Sequence, residues 1–205
     1  MDWFVGDYHL GHANIMRYCH RPFKTAEEMD IALLKNTNDR VGRGDVLYFL
    51  GDWSFKNAEK YRKLINCPNI HFIRGNHDRE PDRVYRELFT TVRDLNNIKV
   101  HLDGQKISIV LCHYAMRVWN KSHHGAWHLY GHSHATLPDW YKSTDVGVDA
   151  IAQRLSGFTV PELEELEWPL NPDDYRPISL REVADIMVSK EQGVVDHHGA
   201  IKDES

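Results

Sequence analysis

The sequence predicts an α/β fold, and three observations carry that prediction. Short apolar runs alternate with helical stretches from residue 3 to residue 150. Five of the apolar runs end in a loop bearing Asp, Asn or His, with glycine just before that residue in four of them. The chain has 205 residues, 41% hydrophobic and 27% charged, which is the composition of an ordinary globular domain. A chain this long can bury roughly 70% of its unfolded surface without disulfides or a partner.

The elements follow in order. Trp3 to Val5 reads as a strand that stops at Gly6-Asp7. Thr25 and Glu28 form a capping-box pattern, and Ala26, Met29 and Leu33 follow at helical spacing until Gly42-Arg43-Gly44. Asp45 to Leu50 is a second strand ending in Gly51-Asp52. Asn57 is placed to cap a helix carrying Tyr61, Leu64 and Ile65, which Pro68 closes. Ile70 to Arg74 is a third strand, running into Gly75-Asn76-His77-Asp78, and Pro81 opens a helix to about Thr90. Ile98 to Leu102 and Lys106 to Cys112 flank Asp103-Gly104, a type I′ hairpin signal, and the second arm ends at His113. Trp127 to Tyr130 is a strand before Gly131-His132-Ser133-His134, and Thr144 to Val148 is the last strand of the body. Ile178 to Met187 reads as an amphipathic helix with Ser179 as its cap.

Residues 1–150 are expected to form the core. Residues 151–173, with Glu162, Glu164, Glu165 and Glu167 among prolines, read as an acidic insertion. Residues 174–189 close the same domain, and residues 190–205 read as a disordered tail in which His197 and His198 are solvated. The longest apolar runs fall far short of the ~18 residues a membrane span needs. With no charged-then-apolar leader and only three scattered cysteines, Cys19, Cys67 and Cys112, the expected setting is the reducing cytoplasm. A net charge of −5 argues against a long sequence-independent grip on nucleic acid.

Fourteen histidines are the unusual feature of the composition. Asp7, His9, Asp52, Asn76, His113, His132 and His134 all fall at strand ends, where open α/β sheets bind ligands. They offer oxygen and imidazole donors without a thiolate, a set suited to Mn, Fe, Zn or Mg. They are too many for one tetrahedral ion and suit two ions, with Asp52 as the shared carboxylate. On extended backbone Asp7 and His9 would leave on the same side, as would His132 and His134.

Asp7-Tyr8-His9, Gly51-Asp52, Gly75-Asn76-His77-Asp78, His113 and Gly131-His132-Ser133-His134, in that order, resemble the calcineurin-like metallophosphoesterases. Gly11-His12, Arg21-Pro22-Phe23 and Asp174-Tyr175-Arg176-Pro177 resemble a small bacterial and phage branch of them. The resemblance implies a four-layer sandwich of two mixed β-sheets flanked by helices, with a dinuclear metal site at the strand-end loops. It implies that Asp7, His9, Asp52 and His134 hold one metal and that Asp52, Asn76, His113 and His132 hold the other. A hydroxide bridging the metals would then attack phosphorus, with His77 as general acid and Asp78 holding its tautomer. Phe55 stands where the purple acid phosphatase branch has tyrosine, so two Mn²⁺ are favoured, with Fe, Zn, Ni, Co or Mg as alternatives.

The expected reaction is hydrolysis of a small phosphodiester such as a nucleotide. The alternatives are a phosphomonoesterase, a nuclease and a non-catalytic metal-binding scaffold. His12 either faces substrate or hydrogen-bonds a ligand. Arg117, His123 and Arg21 are candidate phosphate-binding groups, since phosphate takes cationic partners beyond metals. Tyr8 is bulky enough to narrow the mouth of the site. Trp53, Trp119 and Trp127 are read as core walls ahead of base-stacking surfaces. The oligomeric state is left open.

Overall fold

The strands of the first sheet are short, two to four residues, because apolar runs there soon give way to polar loops. In the computed structural model, which describes residues 1–157 and 170–191, β1 (Asp2–Val5), β2 (Val46–Phe49), β3 (Ile70–Ile73) and β4 (Thr91–Arg93) lie side by side and parallel. Ile178–Ser179, strand β9, pairs antiparallel with β1 and completes the order β4-β3-β2-β1-β9. In the second sheet β5 (Leu95–Leu102) and β6 (Gln105–Cys112) are antiparallel, and β6, β7 (Trp127–Tyr130) and β8 (Ser143–Asp145) are parallel. The two mixed sheets are flanked by helices, as the sequence predicts.

Local chemistry sets the ends. Asp103 and Gly104 both adopt positive φ, 51° and 78°, and Leu102 faces Gln105 across them. That is the two-residue turn whose twist matches its strands. The Thr25 hydroxyl accepts from the Glu28 N–H and starts α2 (Ala26–Arg40). Ser179 and Glu182 form a reciprocal capping box at α6 (Leu180–Val188). Asn57 precedes α3 (Ala58–Arg62) but caps nothing with its side chain, because its backbone is left-handed, φ 58°. The other helices are α1 (Ala13–Tyr18), α4 (Asp82–Leu88) and α5 (Val148–Ser156).

One continuous core joins both sheets, with Phe4, Leu47 and Ile70 from the first and Ile109, Leu111 and Leu129 from the second. Trp53 and Trp119 are buried and Trp127 is half-buried, as core walls should be. The core extends past the expected boundary at residue 150. Helix α5 begins at Val148, where the last strand was expected to continue, and it buries Ile151 and Ala152. Leu170 is buried too. Most of the acidic segment, and the tail with His197 and His198, lie outside the described residues. Among the described residues no helix is long and apolar enough to cross a membrane.

The parallel strands position the site. β1, β2 and β3 lead within three residues to Asp7, Asp52 and Asn76; β6 and β7 lead to His113 and His132. Both sheets thus deliver polar residues to one edge.

Candidate metal centre

Two groups of donors meet at that edge. Single donor atoms of Asp7, His9 and Asp52 lie within 4.8 Å of one another, and so do those of Asp52, His113 and His132. Asp52 belongs to both groups. Asn76 joins the second: its Oδ1 lies 2.9 Å from His113 Nε2 and 2.9 Å from His132 Nδ1. The centre opens into a cleft of about 560 Å³ that His12, His77 and His134 also line.

The backbone that holds these side chains differs from expectation. Asp7 (φ 60°), His9 (52°), Asp52 (56°), His132 (65°) and His134 (45°) are left-handed, not extended. Such conformations cost of order 1–3 kcal/mol each and collect at functional sites. Backbone bonds between the first two loops over-determine them. The Asp7 N–H donates to the Gly51 carbonyl and the His9 N–H to the Asp52 carbonyl, both at 2.9 Å. Gly75 is required by proximity, since a Cβ there would stand 2.2 Å from Asp52 Oδ1.

The donors fit a cation. Asp7 Oδ1 and His9 Nε2 are buried and have no hydrogen-bond partner. His113 Nδ1 lies 2.7 Å from the Leu50 carbonyl, which can only accept, so this nitrogen carries the hydrogen. With Nδ1 so occupied, Nε2 is left to face the Asn76 oxygen, with Asp52 Oδ2 at 3.6 Å. Three acceptors facing one another are satisfied by a positive ion between them. Burial, with Asp145 and Asp52 beside it, pushes the Asp7 carboxyl well up. Burial lowers His9 to about 2, which keeps its ring neutral and able to donate a lone pair.

His134 is held differently. Its ring lies 5.2 Å from that of His9, and its Nδ1 is 2.7 Å from Asp149 Oδ2. Burial disfavours its charge, yet the hydrogen bonds with Asp149 and Cys19 and the Asp149 charge outweigh that and raise it to about 12. Asp149 and Asp145 escaped the sequence reading. They sit four residues apart astride Gly147, and the Thr144–Val148 run was read only as a strand.

Several expectations need correction. Asp78 does not hold His77. Its carboxylate accepts the backbone N–H groups of Asp52 (2.8 Å), Trp53 (3.0 Å) and Gly75 (2.7 Å), so it ties two strand-end loops together. Arg21 cannot meet substrate. It is fully buried and clamps Asp149 with two 2.7 Å bonds, while donating to the Tyr8 and Asp7 carbonyls. Tyr8 is also fully buried, with its hydroxyl on Thr37, and so cannot narrow the mouth. Arg117 is exposed over Trp140, and His123 is half-buried against His124; neither lines the cleft. His12 does line it, stacked on Phe55 at 4.8 Å, with a buried, unpartnered Nδ1.

A search of family models gives no match. The uncharacterized protein MJ1445 of Methanocaldococcus jannaschii is 36% identical over 160 residues, which cover 73% of this chain and 82% of that one. The chain belongs to the same family as MJ1445. The Gene 66 protein of Mycobacterium phage D29 is 28% identical over 66% of this chain and 79% of its own. A structure of AQ665, a protein of unknown function from Aquifex aeolicus, shares the fold of this chain. It superposes with a TM-score of 0.60 at 20% identity, covering 91% of this chain and 98% of that one.

Proposed function

We propose that the chain is a metal-dependent phosphoesterase whose Asp52 is shared by two divalent cations. The supporting observation is the pair of donor groups that meet in that one carboxylate. Asp7, His9 and Asp52 would hold one cation; Asp52, Asn76, His113 and His132 would hold the other. His134, held at Nδ1 by Asp149, would join the first by giving up its Nε2 proton. Bound divalent cations supply Lewis acidity toward phosphoryl oxygens and lower the pKa of water from about 15.7 to about 7. The oxygen and imidazole donors suit Mn, Fe, Zn or Mg, and Phe55 in place of a tyrosine leaves Mn²⁺ the favoured ion.

The chain supplies the remaining parts. The Leu50 carbonyl fixes the His113 tautomer, and Asp149 orients His134. The His77 N–H donates to Asp52 Oδ1 at 2.8 Å, which anchors a ring facing the cleft. From there His77 would hand a proton to the departing oxygen. No Lys or Arg is among the described residues that line the cleft. A monoester carries a second negative charge that would find no side-chain cation, so a phosphodiester is the favoured substrate. All three cysteines are unpaired thiols, which suits a reducing cytoplasm.

The test compares methyl p-nitrophenyl phosphate with p-nitrophenyl phosphate on Mn²⁺-loaded protein, two esters with one leaving group. The diester is expected to be the better substrate. A strong monoester preference would reverse the substrate class, and no turnover of either with two metals bound would overturn the hydrolase reading. His77→Ala should keep its metals and lose roughly 10²–10⁴-fold in kcat on esters with poor leaving groups. The loss should shrink for p-nitrophenolate, which departs without a proton. An equal rate on the poor leaving group would remove His77 as the acid.

A further inference from the structure

The loops that leave His113 and His134 build a second hollow beside the centre. It has a volume of about 480 Å³ and is walled by Met116, Leu137, Pro138 and Trp140, with Arg117 among them. Two features tie it to the cleft. Leu137 lines both spaces. Tyr114, next to the wall residue Ala115, packs edge-on against the rings of His113 and His132 at 5.0 and 4.7 Å. A group joined to a phosphoryl oxygen at the centre therefore has this hollow as its neighbour.

The lining says what that group is. Trp140 is 41% exposed and lines the hollow. Its backbone is pinned by the Ser143 hydroxyl, which donates to the Trp140 carbonyl at 2.6 Å. The Arg117 guanidinium carbon lies 5.8 Å from the indole centroid. No carboxylate is among the described lining residues. An aliphatic chain would gain nothing from the guanidinium. A flat heteroaromatic ring gains from both, because aromatic side chains and guanidinium planes are surfaces on which proteins stack bases.

We propose that this hollow takes the nucleobase of a nucleotide ester whose phosphoryl group lies at the candidate metal centre. The catalytic half of that statement rests on the phosphoesterase reading; the binding half does not. Arg117 thereby keeps a role toward substrate, on the base and not on the phosphate.

Two measurements separate the halves. One is kcat/KM for thymidine 5′-p-nitrophenyl phosphate against methyl p-nitrophenyl phosphate, on Mn²⁺-loaded wild type, Trp140→Ala and Trp140→Phe. The other is the Kd of AMP for the same three proteins. Wild type should prefer the nucleoside ester by roughly tenfold or more, mainly through KM. Trp140→Ala should bring the ratio toward one and weaken AMP about tenfold, while Trp140→Phe keeps most of both. Equal kcat/KM for the two esters in wild type, with the same AMP affinity in Trp140→Ala, would overturn the base pocket and leave the hydrolase reading standing. No turnover of either ester, with AMP still weakened by Trp140→Ala, would uphold the pocket and overturn the hydrolase reading.

Discussion

Asp52→Asn is expected to empty the centre and abolish turnover while the fold stands. The substitution keeps size and shape, so the tight approach of Gly75 and the bond from the His77 N–H survive. What it removes is the one anionic donor common to both groups. Loss of a mere outer partner of a ligand costs about 10–100-fold in metal affinity. A shared donor should cost at least about 100-fold. Elemental analysis after dialysis, beside a thermal melt and the diester assay, reads all three quantities. Two metals per chain with full turnover would sink the assignment of Asp52.

Arg21→Ala should be the most damaging single change to stability. The guanidinium is fully buried and binds both Asp149 oxygens and two backbone carbonyls. Truncation leaves a buried carboxylate and two carbonyls without donors. Removing one partner of a buried pair costs about 3–5 kcal/mol. At about 2–4 °C per kcal/mol for a chain of this size, the melting temperature should fall by roughly 6–20 °C. Arg21→Lys keeps the charge and loses the fork, so it should fall between wild type and Arg21→Ala. A fall within about 1 kcal/mol for Arg21→Ala would mean that the pair contributes little beyond its own desolvation.

Arg21 also shows where the sequence stops being legible. Its partner Asp149 is 128 residues away, and nothing local distinguishes a clamp from a phosphate-binding arginine. Asp78 misled in the same way. Adjacency to His77 suggested a side-chain pair, whereas the carboxylate turns back onto backbone N–H groups. Signals with local physics were readable. The Asp103-Gly104 turn, the Thr25 and Ser179 caps and the strand-end loops each depend on a few neighbouring residues. Strands β4 and β9 were missed because two or three residues carry no alternation to read. The left-handed backbone at five donor positions was invisible, since Asp and His do not advertise it as glycine does. The convergence of the donors was legible from chain order, and the hydrogen bonds that orient them were not.

The donors also come from different halves of the molecule. Asp7, Asp52 and Asn76 follow strands of the first sheet, and His113 and His132 follow strands of the second. The His132 N–H already reaches across to Asp7 Oδ2 at 2.8 Å. Any cation held there acts as a rivet through the seam between the sheets. Its binding free energy counts toward keeping the halves together, by RT ln(1 + [L]/Kd). Metal supply and heat tolerance are then one variable for this chain. Loosening the shared core, at Leu129 for example, would be felt first as a leakier grip on metal.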